Sequence, residues 1–249
     1  MKVIVKNLAL EYIDEGTGPV VVMLHGWKDS VHTFDPIIPA LIKNHRVVRL
    51  DLPGFGGSDK PPTPWHLDDY VDVVAAFCEK LKLNPDILIG HSLGGRITIK
   101  GVARGVLKPR KIILIASAGI AKRATIRNHA LRIVAKAGKL ATAVWPFNGL
   151  RQKLRRRLYE RIGSDYFAAG RLKETFINII EEDLRPAASS ITTPTLLIWG
   201  SDDRATPLQD GERMQRLIKD SRIEIIQSAG HFVHREYPGK VQSFIAGFI

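Results

Sequence analysis

Cys78 is the only cysteine among 249 residues. No disulfide can therefore form within one chain, and the protein must be stabilised by a packed core, which this length readily supports. A reducing compartment, the cytoplasm, is the expectation. Long apolar runs are lacking too: the opening "MKVIVKNLALEYIDEGTG" breaks its apolar positions with Lys6 and then with acids. That leaves neither a signal-peptide core nor a small-residue cleavage site, and no membrane span is expected. Internal repeats and low-complexity tracts are also missing. What is present, 45% hydrophobic and 25% charged residues, is the composition of a globular protein.

The net charge of +12 is concentrated. Residues 122 to 173 hold 14 Lys or Arg against two acids, Glu160 and Asp165, and the rest of the chain balances at 23 basic against 23 acidic residues. One explanation is solvated helix faces that keep the protein soluble. The functional one is attraction of something negative: an anionic substrate, an acidic carrier protein or an anionic membrane surface. Nucleic acid is not expected as a partner, because "RQKLRRRLYERIG" lacks interleaved aromatics.

Short apolar runs recur at 19–24, 46–50, 86–89, 111–117, 195–199 and 222–226. They read as central strands of a mostly parallel sheet, and the opening segment adds a leading hairpin. Helical stretches are predicted at 67–82, 93–106, about 208–219 and at the C-terminus, where Val241, Phe244, Ile245, Phe248 and Ile249 share a face. In the stripe Leu67, Tyr70, Val71, Val74, Phe77, Cys78 and Leu81, the cysteine reads as a core residue. This alternation predicts an α/β architecture with helices on both faces of an eight-stranded sheet. It breaks once, between Ser117 and Pro194, where helical spacing appears at 126–141, 150–158 and 172–180. The division that follows is a core of 1–119 and 191–249 with a basic helical cap at 120–190.

Chemistry concentrates at "ILIGHSLGGRITIKG", residues 87–101. A buried strand runs into Gly90-His91-Ser92-Leu93-Gly94-Gly95 and then into a helix, the setting in which a strained turn exposes a nucleophile. A serine hydroxyl needs a base, and the base an orienting acid. Candidates stand at the carboxyl ends of two later strands: Asp202 and Asp203 after "TLLIW", and His231 after "RIEII". In open α/β sheets that edge binds ligands.

With these pieces the chain resembles the α/β-hydrolase superfamily, in its capped serine esterase and lipase branch, over essentially its whole length. The resemblance rests on His25-Gly26-Trp27, "DLPGFGGSDKP" at 51–61, the Gly-His-Ser-Leu-Gly-Gly elbow, the Gly-x-x-Asp-x-x-x-Pro loop and Gly230-His231. It implies Ser92 as nucleophile, His231 as general base and Asp203, with Asp202 as rival, as orienting acid. It further implies an oxyanion hole from the backbone N–H groups of Trp27 and Leu93. Trp27 either walls the acyl pocket or packs under the cap. Relatives that dehalogenate or open epoxides place an aspartate at the elbow, so the expected reaction is hydrolysis of a small-molecule carboxylic ester. Thioesters, amides, C–C bonds and an acyl-carrier-linked ester are the alternatives, and a binding protein of this fold without catalysis is a different class altogether.

Other motifs read as structural. His91 supports the elbow. His231 and His234 form a His-x-x-His pair without a third ligand, so no metal site or cofactor is expected. His25, His32, His45, His66 and His129 read as loop, helix or surface residues. The glycine loop at 51–61 lacks the Lys-Ser/Thr ending of a phosphate-binding loop and is expected to border the site.

Overall fold

The computed structural model describes residues 1–120 and 170–249, the side chain of Arg171 apart. The strands are β1 (Lys2–Val5), β2 (Leu8–Glu15), β3 (Val20–Leu24), β4 (Arg46–Leu50), β5 (Ile87–His91), β6 (Lys111–Ile115), β7 (Thr195–Gly200) and β8 (Ser221–Ile226). They form one eight-stranded sheet in the order β1-β2-β4-β3-β5-β6-β7-β8. Pairings from β4 to β8 are parallel, whereas β1 with β2 and β2 with β4 are antiparallel. The mostly parallel eight-stranded sheet expected from the apolar runs is thus present. Those runs are continuous because both faces are covered. On β3, for example, Val22 and Leu24 join one core cluster and Val21 and Met23 the other.

The first cluster lies beneath α2 (Leu67–Lys80) and α3 (Leu93–Ala103), which supply Tyr70, Phe77 and Ile97, together with α6 (Leu208–Leu217), which supplies Met214. The second is closed by a 3₁₀ turn at Val31–Ile37, α1 (Ile38–Leu41), α7 (Val233–Glu236) and α8 (Pro238–Ala246), the last through Val241 and Ile245. Helices α2 and α3 stop short of the expected ends at 82 and 106 because Lys82 and Gly105 adopt left-handed φ of 51° and 67°, the conformation that terminates a helix. Cys78 is buried in α2, where desolvation pushes its thiol up to about 12. No helix among the described residues is long and apolar enough to cross a membrane.

The expected helical stretches at 126–141 and 150–158 lie outside the described residues. Within them are α4 (Lys173–Glu181) and α5 (Arg185–Ser189). Phe176 and Ile179 of α4 face inward, whereas Ile180 is 45% exposed because one helical step carries it about 100° off that face. Buried Arg96, one turn into α3, docks α4: its guanidinium donates to Ile179 O (2.5 Å) and Glu182 O, satisfying carbonyls that a helix end leaves open. Lys100 adds an ion pair to Glu182 (2.6 Å), and the Trp65 N–H donates to Thr175 Oγ1 (2.9 Å). The edge of α4 is thereby fixed above the C-terminal ends of the strands.

Candidate active site

Ser92 occupies the turn between β5 and α3 with φ 50° and ψ −106°, a strained combination for a residue with a Cβ. The turn exists because its neighbours are small. A Cβ on Gly94 would lie 1.9 Å from Leu24 O, and one on Gly95 would lie 2.1 Å from Ser117 Oγ. Bonds from Ser92 N–H to Ile115 O, and from the Arg96 and Ala118 N–H groups to Ser92 O, all 3.2 Å, secure the backbone between two strands and a helix.

At the ends of β7 and β8 the structure brings Asp203 and His231 together, Nδ1 to Oδ2 at 2.8 Å. The Asp203 side chain is fully shielded from solvent. Its Oδ1 accepts from the N–H groups of Ala205 (2.8 Å) and Thr206 (2.9 Å), and its Oδ2 also accepts from Thr206 Oγ1 (2.8 Å). Burial alone would raise the carboxyl's pKa, but the hydrogen bond and charge of His231 together with the Thr206 donors outweigh it, and the group is held below its ordinary value. Asp202 is exposed and accepts from Ser201 Oγ at 2.7 Å. The two adjacent carboxylates therefore have opposite surroundings, and only Asp203 meets the imidazole.

His91, the residue before Ser92, is buried and donates from Nε2 to His231 O at 3.1 Å, with its ring 4.9 Å from the His231 ring. It links the elbow to the loop bearing His231. Burial and the neighbouring His234 and His231 hold it well below the usual imidazole range. His234 turns away from His231 to pair with Thr33 Oγ1 (2.9 Å), and burial, Arg235 and His231 lower it to about 3. Among the described residues no group of three or more His, Cys, Asp or Glu gathers at metal-binding geometry.

The Gly26 backbone lies against the elbow, since a Cβ there would be 3.2 Å from Ser92 Cβ. Leu93 is the first residue of α3, where N–H groups lack intrahelical partners. Trp27 follows Gly26, and its indole packs on Phe55 (4.8 Å) and on Phe176 of α4 (5.0 Å), an aromatic wall between loop and helix. His25 lies in the loop after β3, as expected, but is completely buried. Its Nε2 accepts from Leu52 N–H (2.9 Å), so Nδ1 carries the proton and donates to Gly26 O (2.7 Å). The His-Gly-Trp turn is thus tied to the glycine loop after β4. Inside that loop sits the carboxylate of Asp51, accepting from Val31 N–H (2.7 Å) and Gly57 N–H (2.8 Å). Within the loop the Gly57 N–H thus serves the protein's own anion, and those of Gly54, Phe55 and Ser58 donate to backbone carbonyls.

Sequence reasoning did not single out Thr206, Arg96 or the burial of His25. An Asp accepting from N–H groups two and three residues on is a local turn pattern legible in sequence. The Arg96 contacts span 83 and 86 residues, and no local signal announces them.

The model of the alpha/beta hydrolase family matches residues 21–242. An uncharacterized hydrolase, YugF, from Bacillus subtilis is 27% identical over 98% of this chain and 94% of its own. The pimeloyl-[acyl-carrier protein] methyl ester esterase of Neisseria meningitidis is 30% identical over 227 residues, 85% of this chain and 86% of its own. Among solved structures, a bacterial membrane phospholipase A superposes with a TM-score of 0.76 at 27% identity, covering 100% of this chain and 86% of that one. The sheet order, the strained serine turn and these likenesses agree: the chain belongs to the alpha/beta hydrolase family.

Proposed function

We propose that the protein is a serine hydrolase of carboxylic esters, working through an acyl-enzyme on Ser92, His231 and Asp203. The observation that carries the reading is the pairing of buried Asp203 with half-buried His231 at 2.8 Å, at the same sheet edge as a serine held at φ 50°. In this mechanism Ser92 Oγ attacks the ester carbonyl carbon while its proton passes to His231 Nε2. The N–H groups of Trp27 and Leu93 stabilise the oxyanion, each contributing about 3 kcal/mol to the barrier reduction. The tetrahedral intermediate collapses by breaking the C–O bond, and the alcohol leaves with the proton from His231. Water then attacks the acyl-enzyme, giving its proton to His231, and Ser92 Oγ recovers that proton as the acid departs.

A named esterase at 30% identity over 85% of this chain supports the ester reading. It also supports the further reading that the basic segment 122–173, of which residues 122–169 lie outside the described part, captures an anionic substrate or an acidic acyl carrier. Hydrolysis of neutral and anionic esters of matched acyl length tests both. Wild type should turn over both kinds of ester, with an advantage for the anionic one that fades with salt, because such attraction is screened over ~8 Å at physiological ionic strength. Changing Arg155, Arg156 and Arg157 to Gln should reduce that advantage. No turnover of any ester would contradict the esterase reading, and a salt-independent preference would contradict charge capture.

A further inference from the structure

The carboxylate of Asp203 is shared. Its Oδ2 receives both His231 Nδ1–H and the Thr206 hydroxyl, each at 2.8 Å, and the hydroxyl oxygen lies 3.3 Å from the same imidazole nitrogen. Thr206 is buried and held from every side: its N–H donates to Asp203 Oδ1 (2.9 Å), and its carbonyl accepts from the indole of fully buried Trp199 (2.8 Å). Among the described residues the hydroxyl reaches one other acceptor, Ala116 O at 3.1 Å. With one proton to give, it favours the charged and nearer oxygen.

We infer that Thr206 is a positioning residue for the reaction: its hydroxyl fixes the plane of the Asp203 carboxylate toward His231 and takes up part of the charge that the imidazole would otherwise meet. This rests on the proposed roles of Ser92, His231 and Asp203. Two consequences have different signatures. Without the hydroxyl, Oδ2 loses one of its two partners while Oδ1 keeps the Ala205 and Thr206 N–H groups, so the carboxylate plane is held less tightly, the imidazole is less well aimed and kcat falls while KM stays. More negative charge also faces the imidazole, which favours its protonated form, so the acidic limb of the kcat/KM–pH profile moves to higher pH. The other ionisable rings packed around His231 are His91 and, behind it, His234. Both are buried and held neutral, so neither supplies a competing limb at mildly acidic pH.

Thr206→Ser and Thr206→Ala make the cleanest pair, because both lose the methyl group and differ only in the hydroxyl. The backbone bonds to Asp203 and Trp199 remain in each. A nitrophenyl ester serves as substrate, with wild type and Ser92→Ala as controls. Relative to the serine variant, the alanine variant should lose about tenfold in kcat with KM unchanged, the effect of one lost charge-assisted hydrogen bond. Its acidic limb should rise by about 0.5 pH. The NMR signal of the His231 Nδ1–H, which needs no turnover, should move downfield in the alanine variant and stay in the serine one. Should Thr206→Ala prove unstable, Thr206→Val, which keeps the shape of the side chain, replaces it with the same expectations. Serine and alanine variants alike in kcat, acidic limb and Nδ1–H position would overturn the inference while leaving the triad intact. An active Ser92→Ala would instead overturn the triad, and the Nδ1–H comparison would still decide whether Thr206 acts on the Asp203–His231 pair.

Discussion

Replacing Asp203 by Asn separates the chemical role of this carboxylate from its structural one. Two backbone N–H groups, from Ala205 and Thr206, point at Oδ1, so the amide must keep its oxygen there. Its NH₂ group then lands at the Oδ2 position, 2.8 Å from His231 Nδ1. Two donors cannot share that contact, so the imidazole accepts with Nδ1 and carries its proton on Nε2, the nitrogen that should receive the Ser92 proton. The base is lost while the shape is kept, and kcat should fall about ten-thousand-fold, as for other triads placed in the wrong tautomer. The Thr206 hydroxyl can turn to Ala116 O at 3.1 Å, so the stability cost should be only about 1 to 2 kcal/mol. Asp202→Asn, at an exposed side chain bonded to Ser201, should stay within about twofold of wild type. Single-turnover kinetics with a nitrophenyl ester, alongside thermal melts, measures both variants. Retention of more than about one hundredth of the wild-type kcat in Asp203→Asn, or a larger effect at Asp202, would refute this reasoning.

Two further outcomes follow from packing and burial. Gly94→Ala drives a Cβ to 1.9 Å from Leu24 O, a backbone atom of the central strand, and should destabilise the fold by about 3 kcal/mol or more in urea denaturation; a loss under about 1 kcal/mol would mean that α3 can slide freely on the sheet. His234 sits at about 3 in the folded chain against 6.5 for the free side chain. The unfolded chain therefore binds a proton first, and the stability from keeping this ring neutral is present above pH 6.5 and lost as pH falls toward 3. Unfolding free energies between pH 7 and 4 should show His234→Gln with a slope shallower than wild type by up to about 1.4 kcal/mol per pH unit. Equal slopes would contradict the burial argument.

The sheet was legible because parallel strands covered on both faces need unbroken apolar runs, and those runs predict all six parallel strands, although the last of them, β8, was expected to be central and lies half-buried at the sheet's edge. The elbow was legible because small residues are required on both sides of Ser92. Between Asp202 and Asp203 the residues themselves offered no physical preference; burial and the 2.8 Å contact with His231 separate them, and both are tertiary. The burial of the loop residue His25 was not legible because its partner, the Leu52 N–H, lies 27 positions away. Helix ends shifted where Lys82 took a left-handed conformation that its side chain does not advertise.

The central claim is that Ser92 is the nucleophile, and covalent capture tests it most directly. A fluorophosphonate probe, followed by peptide mass spectrometry, should label wild type at Ser92 alone. It should leave Ser92→Ala unlabelled, and that variant should lose all but about a thousandth of the esterase rate while melting at nearly the wild-type temperature. Label on another residue, or esterase activity surviving in a folded Ser92→Ala protein, would contradict the account.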